Sequence, residues 1–365
     1  MERNYSIDFI KFFAIFAVVS IHTAPFLHYK NEFIEGENIG FIINVFARFG
    51  VPYFFAASGY LLGKKIKITK NKNSFSYIKH YLLKIVKLLI SWTIIYFLYD
   101  LLILVITSYL NGLHIKSEVI HYLNSAFTLR RLYYGMTYGT SFHLWFLMAL
   151  MWCIVILYFF IKINKIHLLL VFSVILNFIG LFGQSYSSIF NVPLQTRDAL
   201  FFGLFYVTLG YYLSKKYEAQ TLRVSPTLLF ILFILFTLFQ LVEAYVLVKR
   251  FGGPWGNYYI FTIPSTICLI LMVINYQSLG KGTFISKVGQ SSFGIYVIHP
   301  LIISLTYHAL IFLEIEYITR TLIWNLLYSP ILFVLSYFLY HLLQYLKAII
   351  YNKTQQKLAN IRTST

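Results

Sequence analysis

Apolar residues in this chain fall in long continuous runs, broken by short polar segments, with neither the period of 3.6 expected of a half-buried helix nor the alternation of a barrel strand. Runs of about 20 residues match the hydrocarbon thickness of a bilayer at 1.5 Å of rise per residue. The pattern predicts spans near residues 9–27, 41–62, 85–108, 143–162, 168–187, 198–213, 226–247, 258–277, 290–313 and 321–345. The expected fold is therefore an all-α integral membrane bundle of about ten transmembrane helices. Residues 1–350 read as one transmembrane domain and 351–365 as a short basic tail. The fifth and sixth spans are the weakest, because Gly180, Gly183 and Gly203 interrupt them and a short polar stretch joins them. The run from Phe9 to Leu27 is long and lacks an A-x-A-like exit, so it reads as a retained first span rather than a cleaved leader.

Composition agrees with lipid as the solvent: 59% of the 365 residues are hydrophobic and 12% charged, about half the charged share of a soluble domain. The net charge of +18 sorts by segment instead of forming a nucleic-acid patch. With the N-terminus inside, 20 Lys and Arg fall on inside segments and 8 outside, which orients both termini to the cytoplasm. The largest group, Lys64 to Lys87, reads as a topology determinant that contacts anionic lipid, or as a mouth for a polyanionic ligand with Lys84 and Lys87 at helical spacing. With no Walker-type or dinucleotide glycine pattern, side chains would have to hold such a ligand. Cys153 and Cys268 lie inside apolar runs, so neither a disulfide framework nor a metal site is expected. The segment 109–142, with Lys116, Glu118, Arg130, Arg131, Tyr133, Tyr134 and Tyr138, is long enough to fold over the outer face.

Polar residues inside the spans carry the candidate chemistry, since ionisable groups in lipid mark functional sites. Span one holds Asp8, Lys11 and His22. Lys11 and His22 are eleven positions apart, within about 20° of each other around the helix and about 16 Å apart along it. Asp8 lies one turn before Lys11 and is positioned to pair with it. Span two reads ARFGVPYFFAASGYLLGKK. There Pro52 cannot donate to the Arg48 carbonyl, so a kink is expected, while Gly50, Ser58 and Gly59 permit close helix approach. Arg48 should face a carboxylate, an anionic ligand or water. Span four opens with SFHLWFL, setting His143 and Trp145 at the outer interface, where an aromatic belt would also place a Trp. In span nine, QSSFGIYVIHPLII, Tyr296 and His299 share a face and Pro300 releases the Tyr296 carbonyl.

In this order, ID-x-x-K with a His eleven residues after the basic position, then RFGVPYFFAASGYL, HLWFL and SSFGIYVIHPL, the chain resembles the acyltransferase-3 family of bacterial membrane O-acyltransferases. It is most similar to the short, single-domain surface-polysaccharide acetyltransferases. The resemblance implies acetyl-coenzyme A as a cytoplasmic donor, a lipid-linked or exported glycan as acceptor on the outer side, a location in the bacterial cytoplasmic membrane, and His22 as the catalytic residue. Lys11 stands where most members carry Arg, which keeps the charge and loses the bidentate fork. Lys11, Arg48, Lys84 and Lys87 become candidates for donor or oxyanion binding. Asp8, Ser58, His143, Trp145, Tyr296 and His299 become supporting or substrate-lining residues. Two other classes fit parts of the pattern. A glycan or small-anion transporter would also need intramembrane Arg and His, and a sensing module would be expected beside a fused cytoplasmic enzyme, of which the sequence has none.

Overall fold

The computed structural model describes residues 3–30, 35–68, 74–126, 128, 139–217 and 224–363, with side chains described up to residue 352. Among them the chain is helical: α1 (Tyr5–Thr23), α2 (Gly36–Phe46), α3 (Gly50–Ile68), α4 (Ser74–Leu110), α5 (Ile115–Ala126), α6 (Trp145–Lys162) and α7 (Ile166–Leu181). These are followed by α8 (Leu204–Lys216), α9 (Pro226–Phe251), α10 (Thr262–Asn275), α11 (Phe284–Gln290), α12 (Ser292–Phe312) and α13 (Leu322–Thr363). Seven helical stretches among the described residues are long and apolar enough to cross a membrane: Tyr5–Thr23, Gly36–Ile68, Ser74–Leu110, Gly139–Lys162, Pro226–Phe251, Ser292–Phe312 and Leu322–Asn352. The other three expected spans form shorter helices. α7 stops at Leu181, where the chain turns through Gly183, and α8 has 13 residues behind a π-helical turn at Ala199–Gly203. α10 has 14, because residues 252–261 are spent on the loop that precedes it. Of the segment expected over the outer face, α5 packs on α4, with Tyr122 donating to Asp100 Oδ2 at 3.4 Å. Arg130, Arg131, Tyr133, Tyr134 and Tyr138 lie outside the described residues.

α1 is central. It contacts α3, α11, α12 and α13, and its Ala14, Ile15 and Val19 are wholly buried, whereas α4 lies at the periphery with most of its apolar residues outward. Small residues set the closest approaches, as lipid-immersed helices require, since packing replaces the hydrophobic drive between them. A Cβ on Gly59 would overlap the Val207 carbonyl oxygen, and one on Gly210 the Ala56 carbonyl oxygen, so α3 and α8 touch backbone to backbone.

The irregularity expected at Pro52 takes the form of a break. α2 ends at Phe46, a 3₁₀ turn covers Ala47–Phe49, and α3 starts at Gly50, so Pro52 stands in a first turn where no N–H is missed. At the break Gln240 of α9 donates to the Val45 carbonyl at 2.6 Å. Arg48 is thereby held in a turn and directed away from the helix axis into a polar cluster.

Candidate functional site

His22, on the last turn of α1, meets His299 of α12: Nδ1 of His22 lies 2.7 Å from Nε2 of His299. The rings are within 5° of parallel with centroids 5.0 Å apart, the separation of two imidazoles joined edge to edge in one plane. His299 Nδ1 is 3.1 Å from the Ile295 carbonyl, which can only accept. That contact assigns the tautomers by elimination. His299 donates from Nδ1, so its Nε2 accepts from His22 Nδ1–H, and His22 Nε2 keeps a free lone pair. His299 is fully buried, and Tyr96 donates to the neighbouring Val297 carbonyl at 2.8 Å, fixing α12 behind it.

His22 forms one end of a cavity of about 310 Å³. Val18, Val51, Phe54, Ser58, Ile85 and Phe146 line its length, and Lys11, Lys84 and Ser292 its other end. The common face of Lys11 and His22 is therefore the wall of a single channel-shaped space. Asp8 lies 3.8 Å from Lys11 Nζ, the pairing expected from their spacing, and 2.6 Å from Arg3, which completes a small ionic cluster at that end. Lys84 is exposed at the cavity and Lys87, one turn on, is exposed away from it. Ser58 donates its hydroxyl to the Phe54 carbonyl of its own helix at 2.7 Å.

His143, placed by the sequence at the interface, is 1% exposed. It packs edge-on between Tyr96, Tyr296 and His299, and Tyr296 donates its hydroxyl to the His143 carbonyl. Trp145 likewise does more than mark a boundary: it lines the cavity with one part of its ring system and carries the Arg197 guanidinium over it, 5.1 Å from the centroid.

Arg48 does not line the cavity. It donates to Asn44 through Nε at 3.0 Å and to Asn257 Oδ1 through Nη1 at 3.0 Å, and Arg197 donates to the same Oδ1 at 3.2 Å. Arg197 reaches the edge of the cavity through Trp145, which lines it. Arg197, Asn257 and Gln184 belong to none of the sequence motifs; the one signal the sequence holds for them is an Arg at the head of an apolar run.

Among the described residues, no group of three or more His, Cys, Asp or Glu is arranged to hold a metal ion. An imidazole oriented by a second one, at the end of an apolar passage, is suited to proton transfer.

Comparison with known proteins agrees with this organisation. Two curated proteins of Enterococcus faecalis, each named amino-acid racemase, are similar to the chain. One is 27% identical over 323 residues, 83% of this chain and 41% of that protein; the other is 25% identical over 294 residues, 76% and 37%. The chain thus spans about two fifths of the length of these relatives. No solved structure matches. The family model described as an acyltransferase domain matches residues 4–341, nearly the whole chain, and on that match the protein belongs to the acyltransferase-3 family.

Proposed function

We propose that this protein is a membrane O-acyltransferase of the bacterial cytoplasmic membrane, moving an acetyl group from cytoplasmic acetyl-coenzyme A to a hydroxyl of a cell-surface or lipid-linked glycan. The single observation that carries the reading is the oriented His22–His299 pair at the end of a cavity whose other end is lined by Lys11 and Lys84. The family match supports acyl transfer.

The cavity suits the donor's slender arm and not its nucleotide. At about 310 Å³, with apolar walls, it would take a pantetheine chain, while the phosphates remain outside near Lys84, Lys11 and Lys87. The Lys11-to-His22 rise of about 16 Å is of the order such an arm reaches. With both termini cytoplasmic, the lysine end faces the donor's compartment and the His22 end the acceptor's.

In the direct route, His22 Nε2 removes the proton of the sugar hydroxyl as its oxygen attacks the thioester carbonyl carbon. The tetrahedral intermediate collapses with cleavage of the C–S bond, and the proton passes from the imidazolium to the leaving thiolate. His299 acts as a positioning residue. It holds the His22 tautomer and, through Nε2, stabilises the positive charge that develops on the His22 ring, as the carboxylate does in a serine-protease triad. Attack by His22 Nε2 itself on the thioester would use the same free lone pair and give the same products in two steps.

The test is transfer of labelled acetyl from acetyl-coenzyme A by the purified protein in lipid nanodiscs, with surface-glycan mass spectrometry of cells with and without the gene to name the acceptor. His22→Ala should abolish transfer with insertion and abundance unchanged. Near-normal acetylation by that variant would overturn the assignment. A transporter would bind the glycan without consuming the coenzyme.

A further inference from the structure

Two guanidiniums meet on one neutral atom. Arg48 Nη1 and Arg197 Nη1 both donate to Asn257 Oδ1, at 3.0 and 3.2 Å, so they stand no farther apart than those two bonds laid end to end. Asn257 is fixed in that sense, because its Nδ2 donates to Gln184 Oε1. Arg48 is further clamped by Asn44, and Arg197 lies over the Trp145 ring. Both are half-buried.

Two like charges this close raise each other's energy unless an anion joins them. Among the described residues no carboxylate forms an ion pair with either; Asp8 pairs instead with Arg3 and Lys11. The two nearby carboxylates are turned elsewhere. Asp198 accepts from the Phe201 N–H at 2.8 Å, and Glu243 from the Ile260 and Phe261 N–H groups at 2.7 and 3.1 Å and from the Tyr186 hydroxyl at 2.7 Å. The result, among the described residues, is a fixed pair of planar donors with an unmet demand for a group with two or more anionic oxygens.

The position separates this pair from the donor phosphates. Arg48 precedes α3 and Arg197 precedes α8, and these helices end at Lys65 and Lys67 and at Lys215 and Lys216. Arg48 and Lys67 are nineteen residues apart, about 28 Å of helix. A coenzyme anchored by phosphates at the lysine end does not bring those phosphates to the arginines.

We infer that Arg48 and Arg197 form an anion-binding subsite for the acceptor, which therefore carries a carboxylate or phosphate near the hydroxyl presented to His22. This assignment rests on the acyl-transfer reading for the identity of the ligand as acceptor, but the anion site itself does not.

Isothermal titration calorimetry on the full chain in phosphatidylcholine nanodiscs, with glucuronate and inorganic phosphate as probes, tests the site directly. Saturable binding of at least one probe is expected. Arg197→Gln should weaken it tenfold or more, Arg197→Lys should weaken it less, and Lys84→Gln should leave it in place. Absence of saturable binding of both probes, or binding that survives Arg197→Gln, overturns the site. Replacing part of the lipid by phosphatidylglycerol separates the sources of the anion: unchanged probe affinity supports the acceptor, and displacement by the lipid overturns that choice in favour of a headgroup. The transfer assay then compares a uronate-bearing oligosaccharide with its carboxyl-reduced form on the wild-type protein. A KM at least tenfold lower for the charged acceptor at similar kcat is expected, and equal KM values overturn the specificity. Probe binding without transfer to any acceptor would refute the acyl-transfer reading and with it the acceptor assignment, while leaving the anion site standing.

Discussion

His22 and His299 are separated by 277 positions in the chain, yet their ring nitrogens lie 2.7 Å apart with the rings within 5° of parallel. Because the far nitrogen of His299 faces the Ile295 carbonyl at 3.1 Å, the proton between the rings belongs to His22, and the only free lone pair of the pair is on His22 Nε2.

From this relationship follows a difference between the two histidines under substitution. His22→Ala is expected to reduce acetyl transfer to background. His299→Ala, which releases the tautomer and removes the partner of the imidazolium, should lower kcat by about 10²-fold with KM for the donor nearly unchanged. His299→Gln, retaining an acceptor, should recover part of the loss. Steady-state kinetics of the purified variants decide it, and equal KM and kcat effects in both would refute the positioning role.

Ser58 offers a plug for the passage without touching its chemistry. Its side chain lines the middle of the cavity and donates to the Phe54 carbonyl at 2.7 Å. Ser58→Leu should project into the space and raise KM for acetyl-coenzyme A by about tenfold or more, the scale on which one or two misplaced methylenes discriminate in a pocket. A donor KM unchanged in this variant would place the acyl arm elsewhere.

The ionic cluster at the other end can be tuned separately. Lys11→Met is expected to weaken donor binding severalfold, and Lys11→Arg to preserve it. Asp8→Asn leaves Arg3 and Lys11 without their carboxylate at 2.6 and 3.8 Å. Since both cations keep solvent contact, the loss should be about 1–3 kcal/mol, below the cost of orphaning a fully buried charge. Thermal unfolding of the purified variants in one detergent measures it.

Helix α3 should reject any side chain at Gly59. The clash is with backbone, the Val207 carbonyl, so no rotamer relieves it and α8 must move. Gly59→Ala is expected to cost about 1–3 kcal/mol, as overpacking does, and Gly59→Leu to prevent accumulation of folded protein. A Tm for Gly59→Ala equal to wild type would contradict the backbone contact.

What could be read from the chain alone was whatever depends on neighbours within one helix. The apolar runs located the principal spans, because hydrocarbon thickness and helical rise together set their length. Lys11 and His22 were legible as one face, since eleven residues make nearly three whole turns, and both indeed line one cavity. Pro52 announced the break beside Arg48 for an equally local reason, a missing N–H. The family, too, was legible, because its motifs are short and keep their order along the chain.

Tertiary structure decided everything that joins distant segments. The apolar runs gave no measure of how many residues the loops before α8 and α10 consume, so three expected spans became short helices. His143 and Trp145 have the composition of an interfacial belt, and only the packing of Tyr96, Tyr296 and His299 around the first, and of Arg197 on the second, removes them from it. The pairing of His22 with His299 and the meeting of Arg48 with Arg197 on Asn257 have no sequence period to reveal them. Hydrogen bonds of about 3 Å are set by how whole helices cross, and a crossing is fixed by side-chain packing across the bundle, not by spacing along the chain.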